Sequence, residues 1–259
     1  MNRRAFITGL LATTFALSAD APLRLMRPRL SGVDVLPASG RKPTSMVVLL
    51  HGFGGNGESM RWLAEEWAKV LPDTVFVMPD APDQCHENPS DPKSREWFAI
   101  RALDPDTTAR VAQIRAIEPV LNDYIDAKLA HYGLHDRQLA IAGISQGAMM
   151  ALHTAPRRRQ ACAATVAYNG MLVDVPGLKR DRIVRMPVFL AHGSQDNVVP
   201  FAHHARSQRV MREAGFKVEA ATYPLGHDVN AAGVQRGAAF IRRTFAARHR
   251  PFFKWPFGA

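Results

Sequence analysis

One stretch of the chain places a serine where a nucleophile is easily built. In Leu139-Ala-Ile-Ala-Gly143-Ile-Ser145-Gln146-Gly147-Ala-Met-Met, an apolar run of strand character passes directly into a helix-forming run through Gly-x-Ser-x-Gly. So tight a turn forces the serine into a strained backbone conformation that presents its hydroxyl, and Gly143 and Gly147 leave room where a Cβ would collide. A serine hydroxyl is a weak nucleophile until a base takes its proton, so a histidine and an orienting carboxylate are required from later loops. Both follow in order: Asp196 in His192-Gly-Ser-Gln-Asp196-Asn-Val-Val-Pro200, and His227 in Tyr223-Pro-Leu-Gly-His227-Asp228, each just after an apolar run. The separations of 51 and 31 residues each accommodate a βαβ crossover, which takes ~30 residues. Asp174 and Asp181, after the preceding strand, are the alternative acids. Asp228 adjoins the histidine, which makes the required geometry awkward.

Acyl transfer also needs N–H donors aimed at the oxygen that turns negative in the tetrahedral intermediate. His51-Gly52-Phe53-Gly54-Gly55, after the first central strand, supplies such a loop, with the backbone N–H of Phe53 and of Gln146 as donors. A plain glycine-rich turn is the alternative. A phosphate loop is disfavoured because neither Gly-Lys-Ser/Thr nor Gly-x-Gly-x-x-Gly is present. His203-His204, and His131 with His135, lack a third clustered ligand and are expected on the surface, so neither metal nor cofactor is implied.

The elements that would carry these loops read as α/β. Candidate strands are Met46–Leu50, Thr74–Met78, Leu139–Ala142, Ala163–Tyr168, Val188–Ala191 and Val218–Thr222, mostly continuous apolar runs, as in a parallel sheet covered on both faces. An edge strand is expected near Val33–Leu36. From Thr107 to His131, Val111, Ile114, Ile117, Leu121, Ile125 and Leu129 recur at helical spacing, with Pro119 expected to kink the helix and Gly133 to end it. Further helices are predicted from Gln146 to Pro156, over His203–Ala214 and over Val229–Phe245. The expected architecture is α/β, a mostly parallel central sheet with helices on both faces and functional loops at the carboxyl ends of the strands.

These residues resemble the phospholipase/carboxylesterase family of α/β-hydrolases, which includes acyl-protein thioesterases. The likeness runs from Val47 through His227 and is carried by Leu50-His-Gly-Phe-Gly-Gly, Pro79-Asp-Ala-Pro82, Trp97-Phe98, Gly143-Ile-Ser-Gln-Gly147, Tyr168-Asn-Gly-Met, His192-Gly-x-x-Asp196 and Gly226-His227. It implies catalytic Ser145, Asp196 and His227, in agreement with the spacing. It also places Trp97 and Phe98 in a substrate-facing loop, Asp91–Leu103, where they would wall the pocket; ordinary core is the alternative for both. The expected activity is hydrolysis of carboxylic esters or thioesters of small to medium acyl groups. The alternatives are an exported polyester or feruloyl-type esterase, and a non-catalytic relative binding an anionic partner.

Composition is that of a soluble globular protein: 259 residues, 47% hydrophobic and 22% charged, with the length permitting one α/β domain. The formal charge of +10 raises nucleic acid as a partner. However, the basic runs Arg157-Arg158-Arg159 and Arg242-Arg243 lack a stacking platform, so a solvated basic face is expected and nucleic acid is not. The expected partners are a small-molecule substrate and, weakly, a membrane surface. Cys85 and Cys162 allow one bridge at most. Residues 1–21 open with Arg3-Arg4 ahead of an apolar stretch shorter than the ~20 residues of a spanning helix, an export signal of twin-arginine type directing the folded protein to the periplasm. A cytoplasmic or membrane-anchored protein is the alternative. Residues 22–259 would form one domain, and the apolar tail Pro251–Ala259 would pack on it.

Overall fold

The computed structural model describes residues 29–100 and 107–249. The export signal, the tail and Arg101–Leu103 of the loop expected to wall the pocket lie outside the described residues.

Seven strands form the central sheet: β1 (Gly32–Val35), β2 (Ser45–Leu50), β3 (Thr74–Pro79), β6 (Leu139–Ile144), β7 (Ala164–Tyr168), β8 (Val188–Gly193) and β9 (Val218–Tyr223), in spatial order β1-β3-β2-β6-β7-β8-β9. All neighbours pair parallel except β1, which runs antiparallel to β3 along the edge, with Val33 opposite Met78. The central strands are buried almost throughout because helices cover both faces, which is why they read as unbroken apolar runs. Their side chains alternate between two cores. Val48, Leu50, Val77, Ile141 and Leu190 face α2 (Thr107–Tyr132), α3 (Gln146–Arg157) and α5 (Ala202–Glu213). Val47, Leu49, Phe76, Ala142 and Phe189 face α1 (Arg61–Ala68) and α6 (Ala231–His249).

The expected strands and four long helices are present with ends shifted by up to a few residues. Gly133, at φ +67°, follows α2; the left-handed conformation is one glycine adopts without a Cβ penalty. Three features differ from expectation. Helix α1 was not anticipated, since its apolar residues Leu63, Ala64 and Trp67 are interrupted by Glu65 and Glu66 in only eight residues. A small hairpin, β4 (Asp83–Gln84) with β5 (Arg95–Glu96), shapes the loop after β3. Arg157 and Arg158 are not a solvated basic face. Their side chains are 6% and 3% exposed, with Arg158 held by Asp126 and Asp136 and Arg157 by Asp174 and Asp181. The short helix α4 (Val175–Arg180) begins at this cluster, capped by Asp174, whose Oδ1 accepts the Gly177 N–H.

Candidate active site

Strand β6 ends against the first residue of α3 with Ser145 between them at φ 54°, ψ −118°, a conformation that costs ~1–3 kcal/mol and persists only where its surroundings enforce it. The Ser145 N–H donates to the Tyr168 carbonyl at 2.8 Å, tying the turn to the end of β7. No residue other than glycine fits on either side: a Cβ at 143 would stand 2.3 Å from Gly147 carbonyl atoms, and one at 147 would stand 2.1 Å from the Leu50 oxygen.

The loops after β8 and β9 converge on this serine. His227 Nε2 lies 2.9 Å from Ser145 Oγ, and its Nδ1 lies 2.7 Å from Asp196 Oδ2. A proton on Nδ1 donated to the carboxylate leaves Nε2 as acceptor for the serine O–H, the tautomer a general base needs. Asp196 Oδ1 accepts the N–H of Val198 and of Val199, each at 2.9 Å. The acid is fully enclosed, while the His227 side chain is 21% exposed, so the base faces an approach route and the acid does not. The other carboxylates are engaged elsewhere. Asp174 and Asp181 pair with Arg115 and Arg157. Asp228 Oδ1 accepts the adjacent Val229 N–H.

Asn169, at the end of β7, joins the two loops, a function its sequence position did not suggest. Its Nδ2 donates to the Asp228 carbonyl at 2.7 Å, and its Oδ1 accepts the Gly193 N–H at 3.0 Å. Its φ of 48° is a left-handed conformation that Asn tolerates better than most residues, which is the signal the type offers.

The glycine loop after β2 lies directly beside the nucleophile, since a Cβ at Gly52 would be 3.4 Å from Ser145 Cβ. Neither the Phe53 nor the Gln146 N–H donates to an acceptor among the described residues; Gln146, as first residue of α3, has no intrahelical partner to give. Both are therefore open donors at the elbow. The loop is held from beneath by His51, whose Nε2 accepts the Ala81 N–H at 3.0 Å while Nδ1 faces the Gly52 carbonyl at 2.7 Å. Burial lowers the His51 pKa to about 4, so the ring is neutral and keeps both bonds.

Residues 93–98 clamp this loop to the elbow. Gly54 and Arg95 exchange with Gly55 across the strand edge, the Gly54 N–H reaching the Arg95 carbonyl and the Arg95 N–H the Gly55 carbonyl, both at 2.9 Å. The Trp97 N–H donates to Gln146 Oε1 at 2.8 Å, Gln146 Nε2 donates to the Phe98 carbonyl at 2.6 Å, and Trp97 Nε1 donates to the His51 carbonyl at 2.9 Å. Trp97 is 0% and Phe98 2% exposed. Their placement is thus that of core residues and not of pocket walls, because the indole is consumed in bracing the loop after β2.

Other expectations resolve similarly. Cys85 and Cys162 are both buried and are not joined in a disulfide. His131 and His135 are exposed, but His204 is buried, its ring lying against Phe201 and His192. Among the described residues no cluster of three or more His, Cys, Asp or Glu could hold a metal.

Comparison with known proteins adds independent findings. A family model described as phospholipase/carboxylesterase matches residues 33–245. Esterase YpfH of Escherichia coli is 26% identical over 205 residues, covering 78% of this chain and 84% of that protein. Acyl-protein thioesterase 1 of Neurospora crassa is 27% identical over 208 residues, covering 74% of this chain and 83% of that protein. The crystal structure of esterase PE8 superposes with a TM-score of 0.79 at 33% identity, over 84% of this chain and 100% of that one.

Proposed function

Because the chain belongs to the phospholipase/carboxylesterase family of α/β-hydrolases and is a carboxylesterase-class enzyme, we propose that it cleaves carboxylic esters or thioesters through an acyl-enzyme on Ser145. The observation that carries this reading is the continuous contact Ser145 Oγ, His227, Asp196, at 2.9 and 2.7 Å. In the proposed sequence Ser145 Oγ attacks the carbonyl carbon as its proton passes to His227 Nε2. The negative oxygen settles against the N–H groups of Phe53 and Gln146. The bond to the leaving oxygen or sulfur then breaks, and His227 returns the proton to the departing group. Water attacks the acyl-enzyme, giving its proton to His227, and the carboxylic acid leaves as that proton goes back to Ser145. Asp196 remains ionised throughout and stabilises the imidazolium. The names of relatives support both ester and acyl-thioester substrates, and we favour small to medium acyl groups.

Ser145→Ala should reduce p-nitrophenyl ester hydrolysis by several powers of ten, and a fluorophosphonate probe should label the parent and not the variant. Hydrolysis at the parental rate in Ser145→Ala would falsify the assignment. Labelling also separates this reading from a non-catalytic relative, whose serine would stay unmodified.

We also propose export as a folded protein, motivated by Arg3-Arg4 ahead of the apolar stretch that follows. Changing both arginines to Lys should abolish periplasmic activity, and unchanged periplasmic activity would remove the claim.

A further inference from the structure

We propose that His192 is a positioning residue for this reaction, a second imidazole that fixes the Asp196 carboxylate and tempers the basicity of His227. The inference rests on the triad reading above. His192 stands near the end of β8 with its ring buried. Its Nε2 lies 2.8 Å from the Val199 carbonyl and 3.1 Å from Asp196 Oδ2. A carbonyl only accepts, so Nε2 carries the hydrogen and donates it to Val199, with the Asp196 oxygen close beside the same N–H. Val199 in turn donates its own N–H to Asp196 Oδ1 at 2.9 Å. His192 thus holds the Val199 peptide that in turn holds Asp196, and the carboxylate receives three donors, Val198 and Val199 on Oδ1 and His227 on Oδ2, with His192 Nε2 standing 3.1 Å from Oδ2.

Two consequences follow. The carboxylate cannot rotate without breaking bonds at both oxygens. Oδ2 also lies 3.1 Å from the positive N–H end of a second imidazole, which stabilises its charge, so it holds a protonated His227 less tightly than it would without that neighbour. A packing role alone does not explain the imidazole, because His192 Nδ1 is buried with no partner among the described residues, a cost of ~1–3 kcal/mol that an apolar ring would avoid. The charged and titratable groups around His192 are Asp196 on its own loop, His227 from the loop after β9, and His203 and His204 on α5. Arg212 acts in turn on His204, and Arg206 and Arg110 on His203. Burial lowers the His192 pKa below its ordinary value, with the adjacent carboxylate opposing that shift, so the ring serves as a neutral donor beside the base.

The test is steady-state hydrolysis of p-nitrophenyl acetate across pH for His192→Phe and His192→Gln, with melting curves and fluorophosphonate labelling on the same preparations. His192→Phe should lower kcat about tenfold, the order expected when one bond of the brace around Val199 and Asp196 is lost, with KM little changed. The acid limb of kcat/KM, which reports the base in the free enzyme, should move to higher pH, since Oδ2 then loses the N–H dipole beside it. His192→Gln, whose Nε2 can reach the same oxygens, should restore most of kcat and return the limb. Parental kcat and an unmoved limb in His192→Phe would overturn the proposal. So would equal losses in both variants that track the unfolded fraction with the limb unmoved. If hydrolysis by the parent survives Ser145→Ala, the triad reading fails and this proposal with it. If it depends on Ser145 while His192→Phe behaves as parent, only the role of His192 fails.

Discussion

The Gln146 side chain is fully buried, and both ends of its amide are used, Oε1 accepting the Trp97 N–H and Nε2 donating to the Phe98 carbonyl. Its backbone N–H is one of the two donors proposed for the anion hole, so in that reading the same residue supplies an anion-hole group and fixes the segment that braces the other. Gln146→Glu separates these functions. The carboxylate still accepts from Trp97 but turns an acceptor toward the Phe98 carbonyl, leaving that oxygen unsatisfied and a charge in the core. We expect destabilisation of at least ~1–3 kcal/mol, seen as a melting point lowered by about 2–4 °C for each kcal/mol, with kcat falling as the loop loosens. A Gln146→Glu protein that melts with the parent would show that the amide bonds are dispensable.

At the scale of elements, chemistry falls at the carboxyl ends of β2, β6, β7, β8 and β9, the rule for open parallel sheets. Two His-Gly pairs stand at these strand ends, His51-Gly52 just after β2 and His192-Gly193 closing β8, and in both the imidazole is buried. The segment containing β5 is equally structural. Trp97→Ala should therefore cost about 3–5 kcal/mol of stability, because it empties a sealed site and frees the His51 carbonyl. Its kcat/KM should fall by a similar factor from acetyl to dodecanoyl p-nitrophenyl esters. A loss concentrated on long acyl chains, at unchanged melting point, would restore Trp97 as a pocket wall.

Over the whole molecule, buried imidazoles are expected to limit the acid tolerance. His51 and His204 are each lowered to about 4 from an ordinary 6.5, with burial the largest cause, and His153 and His192 are lowered in the same direction. A depressed histidine binds its proton more readily in the unfolded chain. The stability it permits is therefore intact above the ordinary value and lost as pH falls toward the folded value. The melting point should fall as pH drops from 6.5 to 4. Each strongly depressed histidine would contribute at most about 3 kcal/mol. His204→Phe, which replaces a ring whose Nε2 has no partner among the described residues, should flatten that slope. A slope as steep as that of the parent would exclude His204 from the effect.

The sequence by itself determined the order of strands and long helices, the elbow and the three residues that meet there. Strands covered on both faces are apolar throughout, and a strand-to-helix turn as tight as that at Ser145 leaves the spacing of its glycines no freedom. Only the tertiary structure decided what surrounds them. Trp97 and Gln146 are 49 residues apart, and Asn169 and Asp228 are 59 apart. No local pattern marks which tryptophan will be sealed by an amide, or which asparagine will bridge two loops. The arginines at 157 and 158 read as a basic surface because charge in sequence carries no partner with it. Burial against Asp126, Asp136, Asp174 and Asp181 appears only when α2, α3 and α4 pack. His192 differs from other loop histidines for the same reason: its significance lies in the 3.1 Å between its Nε2 and Asp196 Oδ2, a distance set by how the chain turns after β8.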